Sequence, residues 1–126
     1  MKIHLTLASV LGFLAVVLGA FGAHALKEKL SIESLNSFET GVRYMMYHAL
    51  AILFINAYAG FTNHLKHRIS ILFFIGVLFF SGSIFAITAV GIPSKSIWFI
   101  TPLGGLFLIF GWLIMIFSFI RAPKLV

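Results

Sequence analysis

Residues 38 to 60 read FETGVRYMMYHALAILFINAYAG, a stretch that starts like a soluble helix and ends like a membrane span. Its polar side chains stand in the first half, and the residues after His48 are almost all apolar. Ionisable side chains are costly in hydrocarbon, so such a helix keeps its polar start near the bilayer surface. The stretch therefore predicts a long helix that begins at the interface and continues into the membrane.

The whole chain has the composition of a membrane protein. Of its 126 residues, 61% are hydrophobic and only 10% are charged. A soluble domain of this length could not bury that much apolar surface. The net charge of +6 comes from basic residues that flank apolar blocks, which indicates membrane anchoring rather than nucleic-acid binding. The absence of cysteine excludes disulfides and thiolate metal sites.

Four apolar blocks predict an all-α membrane protein, a four-helix transmembrane bundle in a single domain, residues 1–126. Each block is close to the ~20 residues that cross a bilayer core, and no alternating pattern indicates a barrel. The first block could also be a signal peptide cleaved after Ala25, but it is long for one and carries small residues at helical spacing. The expected helices cover residues 3–25, 32–60, 69–90 and 102–120.

Local signals predict where two of these helices begin. Ser31 is expected to cap the second helix, with Glu33 in the first turn, where the helix dipole favours an acid. Thr101 is expected to cap the fourth helix, with Pro102 at its first position.

Basic residues in the short loops predict that both termini are cytoplasmic. Segment 62–68 is expected to be a basic interfacial loop, because its two histidines, His64 and His67, are too few for a zinc site. The predicted cytoplasmic side has Lys2, Lys66, Arg68, Arg121 and Lys124, and the other side has Lys27, Lys29, Lys95 and, at its border, Arg43.

Small residues at helical spacing predict close helix packing on the first and fourth helices. These grooves exceed what one compact hairpin needs, so the expected partners are the lipid bilayer and either another membrane protein or a second copy of the chain. The packing residues are Ala15, Gly19, Ala23, Gly104, Gly111 and Ser118.

Six polar residues are expected to form one cluster near the outer membrane surface: His24, Glu39, Arg43, Tyr44, Tyr47 and His48. Glu39 and Arg43 are one turn apart and favour an ion pair, while the alternative is that Arg43 binds a lipid phosphate or a neighbouring helix. His48 is expected to face His24. The pair is either a structural contact or a functional site that relays protons or ligates haem or a metal.

The sequence predicts no enzyme, no cofactor and no metal site. It contains no Ser-His-Asp set, no carboxylate pair and no phosphate-binding loop, and Glu39 is the only acid close to the membrane. The leading hypothesis is an accessory or assembly component that packs against membrane proteins or lipids. The alternative is a small transporter, channel or cofactor-binding protein that uses His24 and His48.

Three stretches of the sequence are similar to those of a known protein family: LGAFGAHAL at 18–26, FETGVRYMMYHALAIL at 38–53 and TPLGGLFLIFGW at 101–112. With them the chain resembles the YgdD/YwdK-like family of small bacterial membrane proteins. The resemblance implies four transmembrane helices in a bacterial inner membrane, and it implies no activity. The chain departs from the family at Ile32, where a proline usually follows the cap, but keeps the pattern RY-x-x-YHALA.

Overall fold

The computed structural model describes residues 2–121, and these residues form helices and connecting turns without any strand. The elements are α1 (Lys2–His24), α2 (Ile32–Ala57), α3 (Asn63–Phe85), a π-helical turn (Ala86–Val90), the short α4 (Ser94–Ile97) and α5 (Ile100–Arg121). The all-helical prediction is confirmed.

Three of the four long helices are apolar and long enough to cross a bilayer: α1, α5, and α3 together with its π-helical turn. The fourth, α2, has 26 residues and is also long, but polar side chains fill its first turns. The prediction of a long second helix with a polar start is confirmed, since α2 begins at Ile32.

Hydroxyl side chains cap the two central helices. The expected cap at Ser31 is confirmed, because its hydroxyl accepts a hydrogen bond from the backbone N–H of Ser34 at 3.1 Å. Thr62 caps α3 in the same way, accepting from Leu65 N–H at 3.2 Å. Segment 62–68, expected to be a loop, is therefore the cap and first turns of α3.

The start of α5 differs from the prediction. The helix begins at Ile100, so Thr101 and Pro102 lie inside its first turn, and Thr101 is not the cap. The Thr101 hydroxyl instead forms a hydrogen bond with the Ser83 hydroxyl on α3. A side chain that could cap its own helix thus ties two helices together.

The helices pack in the order α1, α2, α3, α5, each against its neighbours. The α1–α2 contact is antiparallel, with Gly22 opposite Phe38 and Gly12 opposite Ala49. Gly76 of α3 lies opposite Leu108 of α5 in the same antiparallel sense. The starts of α1 and α3 and the ends of α2 and α5 therefore share one end of the bundle, called here the basic end because Lys2, Lys66, Arg68 and Arg121 lie there.

The small-residue grooves are filled by the chain itself. On α1, Ala15 is buried and Gly19 faces Val42, whereas Ala23 is exposed. Gly22, which the pattern did not include, is the tightest position, since a Cβ there would lie 2.8 Å from the Phe38 ring. The α1 groove is therefore occupied by α2.

The groove on α5 is occupied by α3. Gly104 lies directly on the α3 backbone at Phe80, and Gly111 lies under the Phe73 ring. The Ser118 hydroxyl donates to Ile114 O within α5 at 2.6 Å. Neither groove requires a partner outside the bundle.

Candidate functional site

The expected polar cluster is divided between two separate places. His24 is exposed at the end of α1, whereas His48 is buried in the middle of α2. Gly22 pairs with Phe38, and His48 lies ten residues farther along α2, roughly 15 Å at 1.5 Å per residue. The prediction that His48 faces His24 is wrong, because the antiparallel register places His24 beside the start of α2.

His48 instead connects α2 to α5. Its Nδ1 lies 2.7 Å from the Tyr44 carbonyl oxygen, and the indole Nε1–H of Trp112 donates to His48 Nε2 at 3.0 Å. The Phe73 ring meets the imidazole edge to face at 5.0 Å between centroids. Tyr44 completes the group by stacking on Phe80 at 4.7 Å.

These two hydrogen bonds determine the tautomer of His48. A carbonyl only accepts and an indole N–H only donates, so the proton is on Nδ1 and the Nε2 lone pair accepts from Trp112. Both ring nitrogens are occupied. The arrangement is that of an interhelical structural contact, and it offers haem iron or a metal no lone pair.

Sequence reasoning missed Trp112, although a signal was present. An indole N–H within an apolar helix needs an acceptor, since lipid provides none. Few side chains with an acceptor stand at similar depth, and His48 is one of them.

Arg43 and Tyr47, two further members of the expected cluster, are exposed on the outside of α2. The Arg43 guanidinium donates to Thr40 Oγ1 at 3.0 Å, and Thr40 in turn donates to the Asn36 carbonyl. Glu39 and Arg43, both within the described residues, do not form the expected ion pair. Tyr47 is exposed on the same face.

A second group of buried polar side chains, called here the basic-end cluster, lies at the basic end. It consists of His4 (6% exposed), Asn56 (3%), Lys66 (6%), Ser70 and, at its margin, the exposed His67. His4 Nε2 lies 2.8 Å from His67 Nδ1, and Asn56 Nδ2 donates to Ser70 Oγ at 2.8 Å. These contacts join α1 to α3 and α2 to α3.

Lys66 caps the end of α2 from the neighbouring helix. Its ammonium donates to the Asn56 carbonyl at 3.2 Å, in the last turn of α2. Carbonyls at the end of a helix lack intrahelical partners, and the helix dipole favours a cation there. Lys66 is therefore a buried structural residue, and the expectation of a surface loop residue is wrong.

Two atoms of the basic-end cluster, His4 Nδ1 and Asn56 Oδ1, are buried without a hydrogen-bond partner among the described residues. An unpaired buried polar atom costs about 1–3 kcal/mol. Within residues 2–121 no group of three His, Cys, Asp or Glu side chains could hold a metal ion. The sequence patterns do not predict this cluster, because they indicate an interfacial loop for the segment with His64 and His67.

A family model described as a protein of unknown function, DUF423, matches residues 18–105. The chain belongs to the DUF423 family. The match covers the last seven residues of α1, all of α2 and α3 and the start of α5, so both buried polar groups fall largely within it.

Relatives in this family are membrane proteins of similar length. A UPF0382 membrane protein of Staphylococcus saprophyticus is 39% identical over 116 residues, covering 92% of this chain and 95% of the relative. The inner membrane protein YgdD of Escherichia coli is 34% identical over 131 residues, covering 98% and 93%. The predicted YgdD-like family is confirmed. No solved structure matches the chain.

Proposed function

We propose that the protein is a non-enzymatic accessory component of the bacterial inner membrane, which acts by packing its outer surface against another membrane protein. The observation that carries the proposal is an open apolar groove between α1 and α3, the α1–α3 groove, with a volume of about 360 Å³. Its walls include Leu7, Val10, Leu14, Val77, Leu78 and Gly82.

The helix arrangement keeps this groove open. α1 packs mainly against α2 and meets α3 through His4, which bonds His67 and lies against Phe74. Along the rest of its length α1 follows α2. A gap therefore remains between α1 and α3 that no described residue fills.

The α3 wall of the groove suits another helix. A Cβ built on Gly82 would meet nothing within 4 Å, and Leu78 one turn earlier is 67% exposed. A glycine on an outward-facing surface allows a second helix to approach closely, which is how membrane helices associate. The occupant is therefore proposed to be a transmembrane helix of a partner protein.

The interior supports a binding role over a transport role. Ser81 donates to the Gly41 carbonyl at 2.7 Å, Ser83 pairs with Thr101, and His48 accepts from Trp112. Transport pathways use intramembrane ionisable groups that face a water-filled cavity. Here these groups join neighbouring helices, and the separation of His24 from His48 removes the motivation for the alternative function.

We also propose that both termini lie in the cytoplasm. The basic end carries Lys2, Arg68 and Arg121, whereas the three acids of the chain all lie between residues 28 and 39 near the opposite end. Lys and Arg accumulate in short cytoplasmic segments. Lys124, which contributed to the prediction, lies outside the described residues.

Photo-cross-linking in intact cells tests the proposed partner helix. A photoreactive amino acid replaces Val10 in the groove or, as the control, Phe117 on α5; both native side chains are exposed. Val10 should give one discrete adduct heavier than the 14.0 kDa chain, and Phe117 should not. Gly82→Leu should abolish the adduct, because its side chain fills the groove without meeting neighbouring atoms at Cβ.

Two outcomes would overturn the proposal. Lipid-sized adducts alone at Val10 would mean that acyl chains fill the groove. An adduct of twice the chain mass, with no heavier partner, would identify a second copy of the chain as the occupant.

A further inference from the structure

We propose that a second groove, between α3 and α5, binds one anionic phospholipid at the basic end of the bundle. This α3–α5 groove has a volume of about 480 Å³. It is separate from the α1–α3 groove, so the inference goes beyond the proposed function and does not depend on a protein partner. Its lining includes His67, Arg68, Ile71, Leu72, Phe107 and Phe110.

The groove is polar at one end and apolar along the rest. His67 and Arg68 lie in the second turn of α3, and the next turn presents Ile71 and Leu72. Arg68 is five residues from the start of α3, roughly 8 Å along the helix. A phospholipid has the same order, with its phosphate near the surface and its acyl chains in the hydrocarbon.

Arg68 has no acidic side chain near it within the protein, so an anion bound there must come from outside. Arg68 is exposed at the basic end, while all three acidic side chains, Glu28, Glu33 and Glu39, lie near the opposite end. No acidic side chain of this protein can therefore neutralise Arg68. A guanidinium matches a phosphate with two parallel hydrogen bonds, which makes arginine a favoured phosphate ligand.

The partly buried contact of His67 with His4 gives the groove a second donor. One of the two facing nitrogens, His4 Nε2 or His67 Nδ1, must carry the proton across their 2.8 Å contact. His4 Nδ1 is buried without a partner, and an orphaned N–H is rarer than an under-satisfied acceptor. The proton of His4 is therefore assigned to Nε2, which donates to His67 Nδ1.

This assignment orients the proton of His67. With Nδ1 accepting, the N–H donor of His67 is at Nε2, and His67 lines the groove beside Arg68. The two side chains together provide charge and hydrogen bonds for one phosphate. His4 is a positioning residue for this site, since it acts only through His67.

Native mass spectrometry of the full chain, released from nanodiscs into mild detergent, tests the inference. Nanodiscs contain equal amounts of phosphatidylglycerol and phosphatidylcholine. The wild type should retain one phosphatidylglycerol in preference to phosphatidylcholine. Arg68→Gln should lower the retained fraction at least roughly tenfold, because glutamine lacks the positive charge and loses at least one of the two hydrogen bonds to the phosphate. Arg121→Gln, a basic residue at the same end but outside the groove lining, is the matched control.

A second pair of variants tests the acyl-chain part. Phe110 and Phe117 are similarly exposed on α5, but only Phe110 lines the groove. Phe110→Ala should weaken phosphatidylglycerol retention, whereas Phe117→Ala should not. Arg68→Lys should keep part of the binding, because lysine retains the positive charge.

Three results would overturn the lipid site. They are equal retention of the two lipids by the wild type, equal phosphatidylglycerol retention by Arg68→Gln, and displacement of the lipid by excess inorganic phosphate, which would indicate a simple anion site. The Val10 adduct is measured in the same Arg68→Gln variant. Because it should be unchanged there, failure of the lipid site and failure of the partner helix are distinguishable.

Discussion

Removing the hydrogen bond between His48 and Trp112 should destabilise the bundle. A double-mutant cycle measures how much of that loss belongs to the contact itself. His48→Leu leaves the indole N–H of Trp112 unpaired in hydrocarbon, and Trp112→Phe leaves His48 Nε2 unpaired. Each orphaned atom costs about 1–3 kcal/mol. The double variant contains neither orphan, so its loss should be smaller than the sum of the single losses.

The difference between the loss in the double variant and the sum of the two single losses is the coupling energy of the pair. Interhelical hydrogen bonds in membrane proteins average about 0.6 kcal/mol and reach about 1.7 kcal/mol. A coupling energy of about 0.6–1.7 kcal/mol is therefore expected between His48 and Trp112. The free energy of unfolding is measured for all four proteins by reversible denaturation in mixed micelles, following helix content.

His24→Leu provides the control, because His24 is exposed and its removal should be additive with His48→Leu. Additive losses for His48 and Trp112 would show that their contact contributes no stability, and the reasoning would be refuted. A coupling between His24 and His48 would instead restore the cluster expected from the sequence.

Other positions give simpler expectations. Gly104→Ala should lower the unfolding free energy by several kcal/mol or prevent folding, because its Cβ would enter the α3 backbone. Gly105→Ala is the control: its Cβ would make an ordinary contact at 3.9 Å, so the unfolding free energy should stay within about 1 kcal/mol of wild type. Ser81→Ala should lose about 0.6–1.7 kcal/mol in the same assay, since it removes the bond to the Gly41 carbonyl; an unchanged midpoint would contradict this. Reporter fusions at the C-terminus and within residues 27–36 should give opposite signals, with the C-terminus cytoplasmic, and an external C-terminus would reverse the proposed orientation.

The sequence by itself determined the class of protein and most of its helices. Composition and block length require membrane helices, because backbone groups in lipid must bond within their own segment. The cap at Ser31 was also readable, since its hydroxyl bonds an N–H only three residues away. These features depend on composition or on neighbours along the chain, and the family was recognisable from the sequence too, since the family match needs no structure.

Only the tertiary structure decided which faces of the helices meet. Side chains in a lipid-embedded bundle are apolar on both the inner and outer faces, so no stripe of hydrophobic residues shows which side points inward. The partner of His48 therefore proved to be Trp112, which is 64 residues away, and not His24. For the same reason the burial of Lys66 and the occupants of the small-residue grooves depend on the rotation and order of the packed helices, which local sequence patterns do not encode.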